Sequence, residues 1–170
     1  MAWTPTRAII TARPVTDNLL EYITDETRQA DALTWAGGVN LKRLATIQER
    51  KANPKQPFYP NIAYSDDNDP QSLGDDLNEV EYTTRFRIGV QNSNSDTAIE
   101  QARVYDKAIK SMIANCTTLT TSTNAVSAVV VGLESGFLPI QAGKNGTATN
   151  DFLQEVEMAV VVQLIGSAHA

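Results

Sequence analysis

Apolar residues return at three- and four-residue steps in two stretches of the chain, and at every second residue in two others. The first helical stripe is Leu19, Leu20, Ile23, Thr27, Ala30 and Leu33. Thr16 is placed to cap it, and Asp17 and Glu21 suit the positive end of a helix. Gly37-Gly38 stops it, because a left-handed C-terminal cap wants a residue without Cβ. The second stripe runs from Asp96 to Asn115 and carries Ala98, Ala102, Tyr105, Ile109, Met112 and Cys116, widened by Ile99 and Ile113. Arg103, Asp106, Lys107 and Lys110 fall outside it. Thr97 and Glu100 have capping-box spacing, with Ser95 and Asp96 as other possible caps.

The strands read as clearly. From Glu81 to Gln91, Tyr82, Thr84, Phe86, Ile88 and Val90 point one way, and Thr83, Arg85, Arg87 and Gln91 the other. The closing strand, Phe152 to Ile165, turns Phe152, Val156, Met158, Val160, Val162 and Leu164 to one side and Glu155, Glu157 and Gln163 to the other. Ala125 to Leu133 is apolar throughout and predicts a strand buried on both faces, broken by Gly136 and Pro139. Asn61-Ile62-Ala63-Tyr64 predicts a further short strand, while Val39 to Ile47 reads either as a strand or as an irregular extension.

These elements predict a single α+β domain: a mixed, mostly antiparallel sheet of about four to five strands, with two helices packed on one face. An N-terminal arm (residues 1–14), a long extended excursion with an acidic loop (39–80) and a C-terminal tail (166–170) complete it. A length of 170 residues is enough for one core without staples. The start of the chain lacks the pattern of a secretion signal, and the apolar runs are too short to cross a bilayer, so the expected setting is a cytoplasm, with no membrane partner.

Composition narrows the chemistry. Fourteen basic residues against twenty acidic ones give a net charge of −6, which argues against nucleic acid as the main partner. The one histidine, His169, stands next to the last residue, so Ser-His-Asp and Cys-His arrangements are not available to the body of the chain. The single cysteine, Cys116, lies on an apolar stripe and reads as packing. Gly143-Lys144-Asn145-Gly146 lacks phosphate-loop spacing and reads as a turn. No cofactor and no metal site is expected, and the protein is not expected to be an enzyme.

Two alternatives stand beside that reading. Asp66, Asp67, Asp69, Asp75 and Asp76 supply hard oxygen ligands for Ca²⁺, which would make the chain a small cytoplasmic binding module; without EF-hand spacing, a solvated loop is the default. Glu155 and Glu157 share a strand face and would serve an enzyme working with carboxylates alone. The more suggestive pairing sets them against Arg85 and Arg87, so that charges meet within the sheet or across a subunit boundary. Phe58-Tyr59, between Pro57 and Pro60, reads as an anchor in a protein interface.

The whole order is an early amphipathic helix ending in Ala36-Gly37-Gly38, an excursion containing Phe58-Tyr59-Pro60-Asn61-Ile62, the strand 81–91, the helix to Asn115, the apolar strand 125–134 and the long strand 152–165. Over residues 16–165 this pattern resembles the tail terminator (tail completion) proteins of tailed bacteriophages and the related head–tail joining proteins of the neck. The resemblance implies a virion protein, assembled in the host cytoplasm, that forms a ring of commonly six copies. That ring would end tail-tube polymerisation and join tail to neck. Its partners would be its own copies, the tail-tube protein, neck or connector proteins and, in a contractile tail, the sheath protein, with DNA only as passing cargo. The surfaces expected to serve these contacts are Phe58, Tyr59 and Ile62 in the extension and Arg85, Arg87, Glu155 and Glu157 on the sheet.

Overall fold

The computed structural model describes residues 12–44, 59–67, 71–72, 79–116, 127–142 and 151–165. Within them the order is α1 (Ala12–Thr24), α2 (Glu26–Ala36), β1 (Asn61–Asp67), β2 (Gln71–Ser72), β3 (Glu79–Asn92), α3 (Ser95–Ala114), β4 (Ser127–Phe137), β5 (Gln141–Ala142) and β6 (Phe152–Ile165). The long strands lie in the order β1-β3-β6-β4; β2 pairs with β3 and β5 with β6. Among the described residues every pairing is antiparallel, so the fold is α+β as expected, with no parallel pair among them.

The two alternating strands form the centre. β3 and β6 pair without a break from Glu79↔Ile165 to Asn92↔Phe152. Residues opposite one another share a face, so the two alternations reinforce each other. Phe86, Ile88, Val90, Val156, Met158, Val160 and Val162 are buried, in one cluster with Leu19, Ile23, Tyr105, Ile109 and Ile113 of the helices. α3 lies across β3 and β6, α2 packs along α3, and α1 touches both helices.

The first helix differs from expectation in three ways. It starts at Ala12, with Pro14 in its first turn, where a missing N–H costs nothing; Thr16 is therefore buried inside the helix rather than capping it. It also breaks at Asp25, giving two helices where one was predicted. There the Asp25 carboxylate accepts from the Arg28 N–H at 2.9 Å and starts α2 afresh. The break shifts the helical phase: Thr27 and Ala30 of the expected stripe are exposed, and Gln29 takes the buried position beside Leu33. Gly37 closes α2 at φ +93°, as a left-handed cap requires. A Cβ on Gly38 would stand 2.6 Å from Val104 Cγ1, so this turn packs directly on α3.

Residues 39–44 form no strand. They are held instead by buried Gln29, whose Nε2 donates to the Ile23 carbonyl at 2.8 Å while its Oε1 accepts from the Leu44 N–H at 2.7 Å. Tyr105 on α3 adds a hydroxyl bond to the Lys42 carbonyl at 2.6 Å. α3 itself is capped by Asn94, whose side chain accepts from the Thr97 N–H, rather than by Thr97, Ser95 or Asp96.

β4 also departs from expectation. It continues through Gly136 to Phe137 at the end of the strand order, and from Val129 to Phe137 every residue is half-buried or exposed, so it is not buried on both faces. A bulge between Val130 and Gly132 leaves Val131 51% exposed.

Candidate functional site

The residues of β3 and β6 that point away from the helices build the second face of the sheet. Arg87 stands opposite Glu157, and the Arg87 Nη2 donates to Glu157 Oε2 at 3.0 Å. Both side chains remain partly exposed, at 40% and 35%. The Arg87 Nε is nonetheless buried, with no hydrogen-bond partner among the described residues. The other expected pairs do not form across this strand pair: Arg85 stands opposite Ala159, and Glu155 opposite Gly89. On its other side Arg85 is in register with Asp66 of β1. Farther along, Thr83 stands opposite Val161 and Glu81 opposite Gln163, all half-buried. The face thus alternates charged, small and apolar positions along both strands.

The three aromatic and apolar residues expected in the interface have separate fates. Phe58 lies outside the described residues. Tyr59 is half-buried, so close to β3 that a Cβ on Gly89 would stand 2.9 Å from its Cε1. Glycine at 89 is what lets the ring approach the strand. Ile62 is wholly buried in the core cluster and offers no surface; its alternation in β1 turns it toward the helices.

Tyr59 and Pro60 also border an open cavity of about 320 Å³ together with Lys42, Gln91, Gln101 and Tyr105. Its polar groups are partly committed, since Gln91 donates to Asp151 at 3.3 Å and Tyr105 to the Lys42 carbonyl. Burial raises the Tyr105 hydroxyl far above its ordinary value of 10.0. Tyr22 is raised as well, chiefly by burial, with Cys116 adding to it and nearby Arg28 opposing.

Among the described residues, no group of three or more His, Cys, Asp or Glu side chains is arranged to hold a metal ion. Of the acidic cluster, Asp66 and Asp67 belong to β1, while Asp69, Asp75 and Asp76 lie outside the described residues. No helix is long and apolar enough to cross a membrane among the residues described.

Some surface features escape the sequence pattern. Trp35 is 62% exposed, with the Lys107 ammonium 4.6 Å from its ring centroid. Asp106 is buried rather than facing solvent; one carboxylate oxygen meets Lys110 at 3.1 Å and the other has no partner among the described residues. Cys116 is half-buried against the core, as a packing residue would be.

No family model matches the chain, and no curated protein matches it. The fold and this site define an α+β domain with helices on one side of an antiparallel sheet and a mixed polar–apolar surface on the other.

Proposed function

We propose that the protein is a structural subunit of a bacteriophage virion: it forms a ring at the head-proximal end of the tail, ends tail-tube polymerisation and joins the tail to the neck. The observation that carries this reading is the second face of the sheet. Its charged pair, Ala159 and Val161 are half-buried in the single chain, a mixed surface compatible with docking on another protein. The order and lengths of the elements, which resemble those of tail terminators and of the related head–tail joining proteins, add the second support.

In this reading a ring of commonly six copies, the number implied by the resemblance, uses different patches on adjacent subunits. Tube, neck and, in a contractile tail, sheath proteins take the remaining surfaces. A chain of net charge −6 with few clustered cations lets DNA pass without holding its phosphates. The protein works by placing surfaces, with no catalytic step.

Single-particle imaging of the purified chain, alone and mixed with tail tubes from the same source, tests the proposal. Rings, or a cap at one end of each tube, are expected. A chain that remains monomeric and also ignores the tubes overturns it.

A further inference from the structure

We infer that the open edge of β4 is the seam between neighbouring copies, and that it pairs with the β1 edge of the next chain. The inference rests on the ring reading above and names the surface that would close the ring. Among the described residues, β4 pairs only with β6, so its other edge presents backbone N–H and C=O groups along much of eleven residues. Edges of this kind template further strands, and natural proteins usually protect them with Lys, Pro or inward charges. The β4 stretch Ser127–Phe137 contains no Lys, Arg or Pro and a single charge, Glu134. It is also flanked by exposed apolar side chains: Val131 in the bulge, Phe137 at the end of the strand and Ile140 just beyond. An edge this apolar, carrying a bulge at Val131 and one charge at Glu134 but no Lys or Pro, is what a strand covered by a partner looks like when its chain is seen alone.

Strand direction allows β1 as the occupant, and the head-to-tail ring reading selects it. The order β1-β3-β6-β4 contains three antiparallel steps, so the two edge strands run in opposite senses. A second copy that keeps the same sense of its sheet and brings β1 beside β4 therefore makes an antiparallel ladder, continuous with the sheet on both sides. That contact joins one edge to a different edge, which is the head-to-tail kind that closes into rings; β4 against β4 would stop at a dimer. Charge sets a condition on the seam. β1 carries Asp66 and Asp67, β4 carries Glu134, and neither stretch carries a cation. Salt should therefore strengthen the association by screening like charges.

Sedimentation velocity of the full chain over a protein and salt series decides it, with folding followed by circular dichroism. The wild type is expected to form species larger than dimers, more readily as salt rises. A V131K/F137K chain, still folded, should weaken assembly about tenfold or more. Glu134→Lys should tighten it at low salt, and this variant decides the matter if the double variant fails to fold. Monomers at every concentration, assembly that stops at dimers, or a folded double variant that assembles like the wild type would each overturn the inference. Tail-tube capping separates the two readings. Capping that ignores the β4 changes leaves the terminator reading standing without this seam; assembly through β4 with no capping does the reverse.

Discussion

The two faces of the β3–β6 pair are made by the same strands, one residue out of step, and they behave as different materials. On the helix side Phe86, Ile88, Val156, Met158 and Val160 are fully buried and interlock with Leu19, Ile23 and Ile109. On the other side Arg85, Arg87, Glu157 and Val161 are half-covered, and the clearest contact is an ion pair open to water. The first face holds the chain folded, because removing apolar area from water is the main favourable term. The second contributes little to the fold, so its composition is free to serve a partner. The difference teaches where substitutions should separate folding from assembly.

The largest effect is expected on the helix side. Phe86→Ala should cost about 3–5 kcal/mol, since its cavity lies under α3 in a filled core. Urea unfolding measures this, and a loss under about 1 kcal/mol would mean the core is not packed around this ring. Next comes the polar tie of the same layer. Gln29→Leu leaves the buried Leu44 N–H and Ile23 carbonyl without partners, at about 1–3 kcal/mol. Hydrogen exchange at the Leu44 amide should quicken with it.

Tyr105→Phe should cost about 1 kcal/mol through the lost bond to the Lys42 carbonyl. It also carries a pH signature. Folding raises the Tyr105 and Tyr22 hydroxyls above their ordinary value of 10.0, so the folded state favours the neutral form. That stabilisation is fully present below pH 10.0 and is lost as the pH rises through the elevated folded values, because the unfolded chain ionises first. Unfolding titrations above neutrality should therefore show a steeper alkaline loss for wild type than for Tyr105→Phe.

The smallest effect on stability belongs to the open face. Glu157→Gln, at a half-exposed ion pair, should change unfolding by about 0.2–1 kcal/mol. If that face docks on a partner, the same variant should impair ring formation or tube capping while its melting curve stays close to wild type. A variant that loses more stability than assembly would remove the contrast between the two faces.

Much of this was legible in the chain. The alternations of Tyr82 to Val90 and Phe152 to Leu164 located both central strands, and Gly37 marked the end of α2. The stripe of α3 named most of the residues it buries. The failures have specific causes. Asp25 competes for the backbone N–H groups of the next turn, and a smooth apolar stripe hides such a break. Apolarity alone does not show whether a second layer covers a strand, so β4 read as buried on both faces, whereas Val129 to Phe137 are half-buried or exposed. Of the four sheet charges of the candidate site, Arg87 and Glu157 are paired across β3 and β6, because register decides which of two neighbouring charges stands opposite a partner.

By itself the sequence determined the local periods, the α+β class and the two-sided character of the central strands, because side-chain spacing of 3.6 or 2 residues is a property of the local backbone. Only the tertiary structure decided the strand order, the edge position of β4 and the burial of Gln29, Asp106 and Ile62. It also set the exposure of Trp35 and the choice of Glu157 for Arg87. Those outcomes depend on which distant segments meet, and contacts between distant segments are chosen by the free energy of the whole packed core rather than by any short stretch of chain.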